Sequence, residues 1–274
     1  MPNANESKTH TVKLERVIAK PAADVFRAIG EGRIFLNCSA HQESMRIDFR
    51  VGGRYALEFR AFGVFNGGEF LEIVPNEKIV FTWSQDGEKD AKGDTTVTIL
   101  LRESGGKTHL TLIHEGFRDE ETRADHQTGW TNGFNDLTAE MTEGRLRFHR
   151  WFKVPVQQLY EACSNPASFF GQMGDLSNGS VDFRVGGKYQ IPSKRGEMHG
   201  AFLEIVPNEK IVFSWLSAGG EHFPHPTKVT LRFEVDDDDP ETSWLELIHE
   251  GLDTEARQKA HRAGWDGFFT RLLS

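Results

Sequence analysis

Apolar and polar positions alternate through several short runs of the chain, and the runs occur twice. In Val97-Thr98-Ile99-Leu100-Leu101 the apolar set Val97, Ile99 and Leu101 recurs at every second residue, the period of a half-buried strand. A second copy fixes the buried face: Val229, Leu231 and Phe233 answer those three, while the remaining positions become Lys228, Thr230 and Arg232. The same comparison turns Ile79, Phe81 and Trp83 inward, with Ile211, Phe213 and Trp215 as counterparts. Asp48 and Arg50, repeated as Asp182 and Arg184, fall on outward positions and read as a cross-strand ion network. Phe70 and Val74, repeated as Phe202 and Val206, also fall outward. Apolar side chains there suggest a surface by which the two copies, or two chains, meet.

The strands are punctuated by turn chemistry. Pro75-Asn76 and Pro207-Asn208 join antiparallel neighbours, and Gly52-Gly53 and Gly186-Gly187 mark tight reversals. Each copy opens with a strand, Thr11–Ala19 or Leu146–Val154, that ends near Pro21 or Pro155. A short helix follows, Ala22–Ile29 or Val156–Cys163, since proline suits a helix start. Each copy closes with a long helix, Glu120–Met141 or Thr254–Leu273. On it His126, Trp130, Phe134 and Leu137 share one face, and His261, Trp265, Phe269 and Leu272 repeat that face. Strands in series with a final long helix predict an α+β unit, a helix laid on an antiparallel sheet.

The repeat is a duplicated domain. Residues 70–81 read FLEIVPNEKIVF and residues 202–213 read the same. The offset between copies is 134 at Gly52 and Gly186, 132 at Phe70 and Phe202, and 135 at Trp130 and Trp265. Its changes fall between the shared strings, where loops tolerate insertion. Two units of about 135 residues each have the usual size of a domain, and the expected division is 1–143 and 144–274. The join, near Glu143–Arg145, has no Pro/Gly/Ser linker, so the two domains are expected to pack on each other.

Charge and cysteine usage narrow the setting. A net charge of −9 with a pI near 5.7 argues against nucleic acid and anionic membranes as partners. No apolar run approaches the roughly 20 residues that span a bilayer, so membrane insertion is not expected. Cys38 and Cys163 do not occupy equivalent positions, which speaks against a disulfide framework and fits a reducing cytosol. The segment Met1 to Thr9 is polar, with no signal-peptide core. A cytoplasmic location is expected.

The ordered strings resemble a known family. A strand, a proline and a helix are followed by Asp-Phe-Arg-Val-Gly-Gly-Arg-Tyr, then Phe-Leu-Glu-Ile-Val-Pro-Asn-Glu-Lys-Ile-Val-Phe-Thr-Trp. His-Glu-Gly and His-x-x-Gly-Trp complete the series. This pattern resembles the Hsp90-ATPase-activator-homologue (AHSA1-like) domains of the START/Bet v 1-like (SRPBCC) superfamily, once per copy. The resemblance implies a helix-grip fold, with a curved sheet wrapped around the long helix and a cavity between them. It also implies a hydrophobic ligand there, cyclase or hydrolase activity in some relatives, or a chaperone-activator role. Nothing in the chain resembles the further N-terminal domain of the co-chaperone that names the family, and Gly32–Ala40 lacks a tryptophan that many relatives carry.

The candidate chemistry sits on the inward faces. His114 ends the apolar set Leu110, Leu112, His114, and His249 ends Leu245, Leu247, His249. A histidine facing a cavity can shuttle a proton near neutral pH, with His126 or His261 on the long helix as its partner. The alternative is that these histidines satisfy backbone groups at the strand–helix junction. Trp83, Trp130, Phe134, Trp215, Trp265 and Phe269 line or fill the space between sheet and helix, together with Phe81 and Phe213. Tyr55 and Tyr189 could orient a ligand there through their hydroxyls. Gly129 and Gly133 would allow close approach of helix to sheet. Gly133 becomes Phe268 in the second copy, so the units are not expected to enclose equal volumes.

Other motifs fail on chemistry. Gly105-Gly106-Lys107-Thr108 lacks the upstream glycine and the following helix of a phosphate loop. Asp236–Asp239 reads as a solvated acidic loop. His222-Phe223-Pro224-His225 lacks a third ligand, and neither a metal nor a cofactor is expected. The leading expectation is a protein that binds a small hydrophobic or aromatic molecule. A cyclase or hydrolase using His114/His126 or His249/His261 is one alternative, and an Hsp90-activator-like interaction module is another.

Overall fold

The computed structural model describes residues 10–36, 45–59, 64–85, 95–194, 196–218, 225–236 and 239–273. Its contacts divide the chain into two units, Met1–Thr138 and Ala139–Ser274. Residues 37–44 with Cys38, residues 222–224 of the candidate metal motif and residues 237–238 of the acidic loop lie outside the described residues.

In the first unit β1 (His10–Ile18) leads into α1 (Ala22–Gly30) and α2 (Arg33–Leu36). Six further strands follow: β2 (Arg46–Ile47), β3 (Arg54–Phe59), β4 (Val64–Val74), β5 (Lys78–Gln85), β6 (Thr95–Ser104) and β7 (Lys107–Phe117), then the long helix α3 (Glu120–Glu143). The sheet order is β1-β7-β6-β5-β4-β3-β2, antiparallel at each step. The second unit repeats this plan with β8 (Leu146–Phe152), α4 (Val156–Ser164), α5 (Pro166–Phe169), β9 (Ser180–Val181), β10 (Lys188–Ser193), β11 (Gly196–Val206), β12 (Lys210–Ala218), β13 (Thr227–Val235), β14 (Ser243–Glu250) and α6 (Glu255–Arg271). Its order, β8-β14-β13-β12-β11-β10-β9, is the same. The protein is α+β, two helix-grip units in tandem, as expected.

Local chemistry explains the element ends. The Asp119 carboxylate accepts the Thr122 N–H at 2.7 Å and caps α3, and Glu120 and Glu121 complement the positive end of its dipole. Thr254 caps α6 through the Arg257 N–H. Asn76 and Asn208 take left-handed φ values of 64° and 63° in the β4–β5 and β11–β12 turns, where asparagine tolerates what branched residues do not. The last turn of α3 belongs with the second unit, where Glu140 is held by Arg262 at 2.7 Å, both buried. No helix among the described residues is long and apolar enough to cross a membrane.

Three expectations are corrected. Phe70 and Phe202 do not face outward; both are buried in the aromatic core. The β4–β5 register slips between Phe70 and Glu72, and β11–β12 between Phe202 and Glu204. The extra residue of each bulge, Leu71 or Leu203, is the exposed one. A bulge shifts the alternation by one residue, which strict period two cannot anticipate, and Val74 and Val206 are only partly buried. The Asp48–Arg50 and Asp182–Arg184 pairs are local, two residues apart at 2.9 and 2.8 Å. Both lie ahead of the glycine turns rather than across strands. Gly129 is exposed with open space at its Cβ position, so it brings nothing close to the sheet; Gly133 is buried.

Candidate functional site

The inward face of β5, the end of β7 and the sheet-facing stripe of α3 converge on one cluster in the first unit. Strand alternation brings Tyr55, Phe81, Trp83 and His114 to that face, and helical spacing delivers His126, Trp130 and Phe134 from above. Tyr55, Phe81, Trp83, His114, Trp130 and Phe134 are buried, and His126 is partly so. Trp83 and Trp130 lie 5.2 Å apart by ring centroids, Phe81 meets Trp130 at 6.5 Å, and Trp130 meets Phe134 at 6.3 Å. The second unit brings Tyr189, Phe213, Trp215, His249, His261, Trp265 and Phe269 together in the same way.

The hydrogen bonds fix the histidine tautomers. Trp130 Nε1–H donates to His114 Nδ1 at 3.0 Å, so the ring proton of His114 sits on Nε2. That Nε2–H donates to Thr95 Oγ1 at 2.8 Å, and the Thr95 hydroxyl donates to the Trp83 carbonyl at 2.9 Å. On α3, His126 Nδ1–H donates to the Thr122 carbonyl at 2.8 Å, leaving Nε2 to accept from Trp83 Nε1–H at 3.1 Å. Both ring nitrogens of both histidines are engaged. The two imidazoles touch edge to face, with centroids 5.2 Å apart, and each is hydrogen-bonded to a tryptophan. The histidine–histidine acid–base pair expected from the sequence is therefore a contact, and each ring has a different polar partner.

The second unit keeps this relay. Trp265 Nε1–H donates to His249 Nδ1 at 3.0 Å, His249 Nε2–H to Thr227 Oγ1 at 2.8 Å, and Thr227 to the Trp215 carbonyl at 3.0 Å. His261 Nδ1–H donates to the Arg257 carbonyl at 2.9 Å. One bond differs: Trp215 Nε1, the counterpart of Trp83 Nε1, is buried without a hydrogen-bond partner.

Burial sets the protonation states. It depresses His114 from the ordinary 6.5 to about 3, with the neighbouring His126 adding to the shift, and it carries His249 well below its ordinary value. His126 and His261 are lowered by burial and partly restored by the backbone carbonyl each one meets. Four neutral imidazoles at pH 7 result. Tyr55 and Tyr189 donate to the Thr82 and Ser214 carbonyls at 2.7 and 2.8 Å, and burial raises both phenols. Their hydroxyls hold β5 and β12 rather than standing free. Among the described residues no cluster of histidine, cysteine or carboxylate side chains could hold a metal ion. Cys163 is buried and unpaired, its thiol pushed up by burial.

Residues missed in the sequence complete the cluster. Thr95 and Thr227 close the relay, and their identity at an offset of 132 in the two copies was an available signal. Phe35, Phe169 and Phe170, from the short helices, insert their rings between sheet and long helix. In the second unit Arg150, 1 % exposed, lies over the Phe148 and Phe269 rings at 5.4 Å and meets Asp266 at 3.4 Å. Nothing in the alternation distinguishes this buried arginine from its half-exposed counterpart Arg16.

Comparison with known proteins gives a family match over both halves of the chain. The model of the family described as Activator of Hsp90 ATPase homolog 1-like protein matches twice, at residues 19–142 and 153–274. No curated protein sequence matches the chain. Among solved structures, DynU16, from the dynemicin biosynthetic locus, is 15 % identical with a TM-score of 0.42, covering 96 % of this chain and 96 % of its own. Protein CV1439 from Chromobacterium violaceum is 27 % identical over 48 % of this chain and 96 % of its own, with a TM-score of 0.40. An HSP90 activator from Plasmodium falciparum is 23 % identical over 48 % of this chain and 94 % of its own, with a TM-score of 0.39.

Proposed function

Because the chain belongs to the Activator of Hsp90 ATPase homolog 1-like family in each of its halves, we propose that it binds a small hydrophobic or aromatic molecule between sheet and long helix. The observation that supports this most is the cluster retained in both copies: aromatic walls around a few fixed polar groups, the composition of a small-molecule site. In the first unit both indoles are hydrogen-bonded to imidazoles, and in the second Trp265 is, so the walls are preorganised and present apolar faces inward. Preorganisation lowers the cost of binding.

Proton transfer by His114 finds no support in this arrangement. His114 has no free ring nitrogen, is fully buried, and holds its neutral form far below neutral pH. A general base must reach the proton it abstracts, and here both nitrogens are already taken.

One observation favours an interaction module of the Hsp90-activator kind. Val51 and Leu71 are 57 % and 48 % exposed, and their counterparts Val185 and Leu203 are 57 % and 51 % exposed. In each unit the glycine turn is bonded to the strand beside the bulge, Gly52 N–H to the Phe70 carbonyl and Gly186 N–H to the Phe202 carbonyl. A thermal-stability screen with aromatic and lipid-like compounds separates the readings. A ligand that binds only the folded form raises the midpoint with concentration. A flat response across the whole panel removes the small-molecule reading and leaves the interaction surface.

A further inference from the structure

Asn66 brings an amide into the apolar face of the first sheet, and no part of the protein satisfies it. It lies on β4 four residues before the buried Phe70, on the same side of the alternation. Across the ladder it pairs directly with Leu57 of β3, which is 1 % exposed. On its other side it pairs with Gln85 of β5, one inward position beyond Trp83. Asn66 is 8 % exposed, and its amide oxygen is buried without a hydrogen-bond partner. Among the described residues of the first unit no other side-chain oxygen or nitrogen is left so.

The copies differ at this position. At the offset of 132 that relates Phe70 to Phe202, Asn66 answers to Met198. The cross-strand neighbours correspond as well, Leu57 to Ile191. Met198 is also 8 % exposed and belongs to the apolar core of the second unit. The fold therefore accepts an apolar side chain here at the same burial and does not need an amide. A buried amide without a partner costs free energy that a thioether does not. Buried polar groups are nearly always paired, so the Asn66 oxygen calls for a donor from outside the chain.

We propose that Asn66 is the hydrogen-bond acceptor for the ligand of the first unit, an aromatic molecule whose hydroxyl or N–H donor meets the amide oxygen. This rests on the small-molecule reading above and adds to it the binding copy, the orienting residue and the group the ligand must carry. A few fixed polar groups in an apolar site set orientation and specificity. The indoles and imidazoles of this unit are engaged with one another, whereas the Asn66 oxygen has its capacity open. A site that would leave its own buried acceptor unpaired rejects the analogue that lacks the donor.

The test uses the full chain and two probes that differ by one donor, 1-naphthol and its methyl ether, with affinities read by equilibrium dialysis. The wild type is expected to bind the naphthol at least tenfold more tightly than the ether. Asn66→Met is expected to weaken the naphthol until the two affinities meet, and to raise the midpoint of urea unfolding. Met198→Asn, the reciprocal change, is expected to lower that midpoint and leave the naphthol preference as it was. Circular dichroism verifies that each variant is folded; if Asn66→Met does not fold, Asn66→Leu carries the same expectation. A wild type that binds both probes equally, or a folded Asn66 variant that keeps the preference, overturns the assignment and leaves the small-molecule reading standing. A midpoint that falls in Asn66→Met shows the amide satisfied within the chain and overturns it as well. A wild type that takes up neither probe overturns the assignment together with the reading it rests on.

Discussion

Lowering the pH from 7 to 4.5 should remove a stabilising contribution that His114 makes by staying neutral inside the first unit. Its folded value is about 3 against an ordinary 6.5, so between these limits the unfolded chain binds a proton that the folded chain refuses. A group depressed on folding contributes stability above its unfolded value, and that contribution is lost as pH falls toward the folded one. At pH 4.5 the unfolded side chain is two units below its pKa and the folded one is still neutral, a cost of about 3 kcal/mol. Carboxylates titrate over the same range, so the measurement is a difference between the wild type and His114→Gln, whose amide can still accept from Trp130 and donate to Thr95. Urea unfolding of both proteins at pH 7, 6, 5 and 4.5 gives that difference. It should be constant above pH 6.5 and then shrink by about 1.4 kcal/mol per unit. A difference that stays flat from pH 7 to 4.5 would refute the neutral, hydrogen-bonded state drawn for His114.

Other perturbations probe the packing. Phe70→Ala should cost about 3–5 kcal/mol and Leu71→Ser less than about 0.5 kcal/mol in urea unfolding; the reverse order would place the bulge elsewhere. Gly68→Ala puts a Cβ 1.9 Å from the Thr82 carbonyl oxygen and should destabilise by more than about 2 kcal/mol. Gly129→Ala, in open space on α3, should stabilise by up to about 1 kcal/mol, and thermal melts of the two variants should move in opposite directions. Glu140→Gln leaves the Arg262 guanidinium without its carboxylate in a buried site and should cost about 3–5 kcal/mol; a midpoint unchanged in urea would mean water reaches that pair.

Comparing the copies made most of the sheet legible. Where Val97 and Ile99 answered to Val229 and Leu231, the inward face was read correctly because period two holds along a regular strand. It failed at Phe70 and Phe202, since a bulge resets the alternation without any mark in composition. The helix face His126–Trp130–Phe134–Leu137 was legible for the same reason as the strands, a single period running uninterrupted. The aromatic and histidine cluster was legible in its members and not in its bonds. Which nitrogen of His114 meets Trp130 depends on the register of α3 over the sheet, a tertiary distance that sequence spacing does not contain. Thr95 was passed over because a threonine near a strand end looks like ordinary strand chemistry; only its repeat as Thr227 distinguished it. Arg150 was invisible because alternation assigns a face and says nothing of a cation's partners.

The central claim, that a small aromatic or hydrophobic molecule resides between sheet and helix, is tested most directly by native mass spectrometry of the full chain purified gently from its source. The account predicts an added mass of one small molecule per chain that leaves on denaturation and is identified in the released fraction. A chain that shows only its bare mass, and whose melting midpoint does not rise with any aromatic or lipid-like compound, would contradict it.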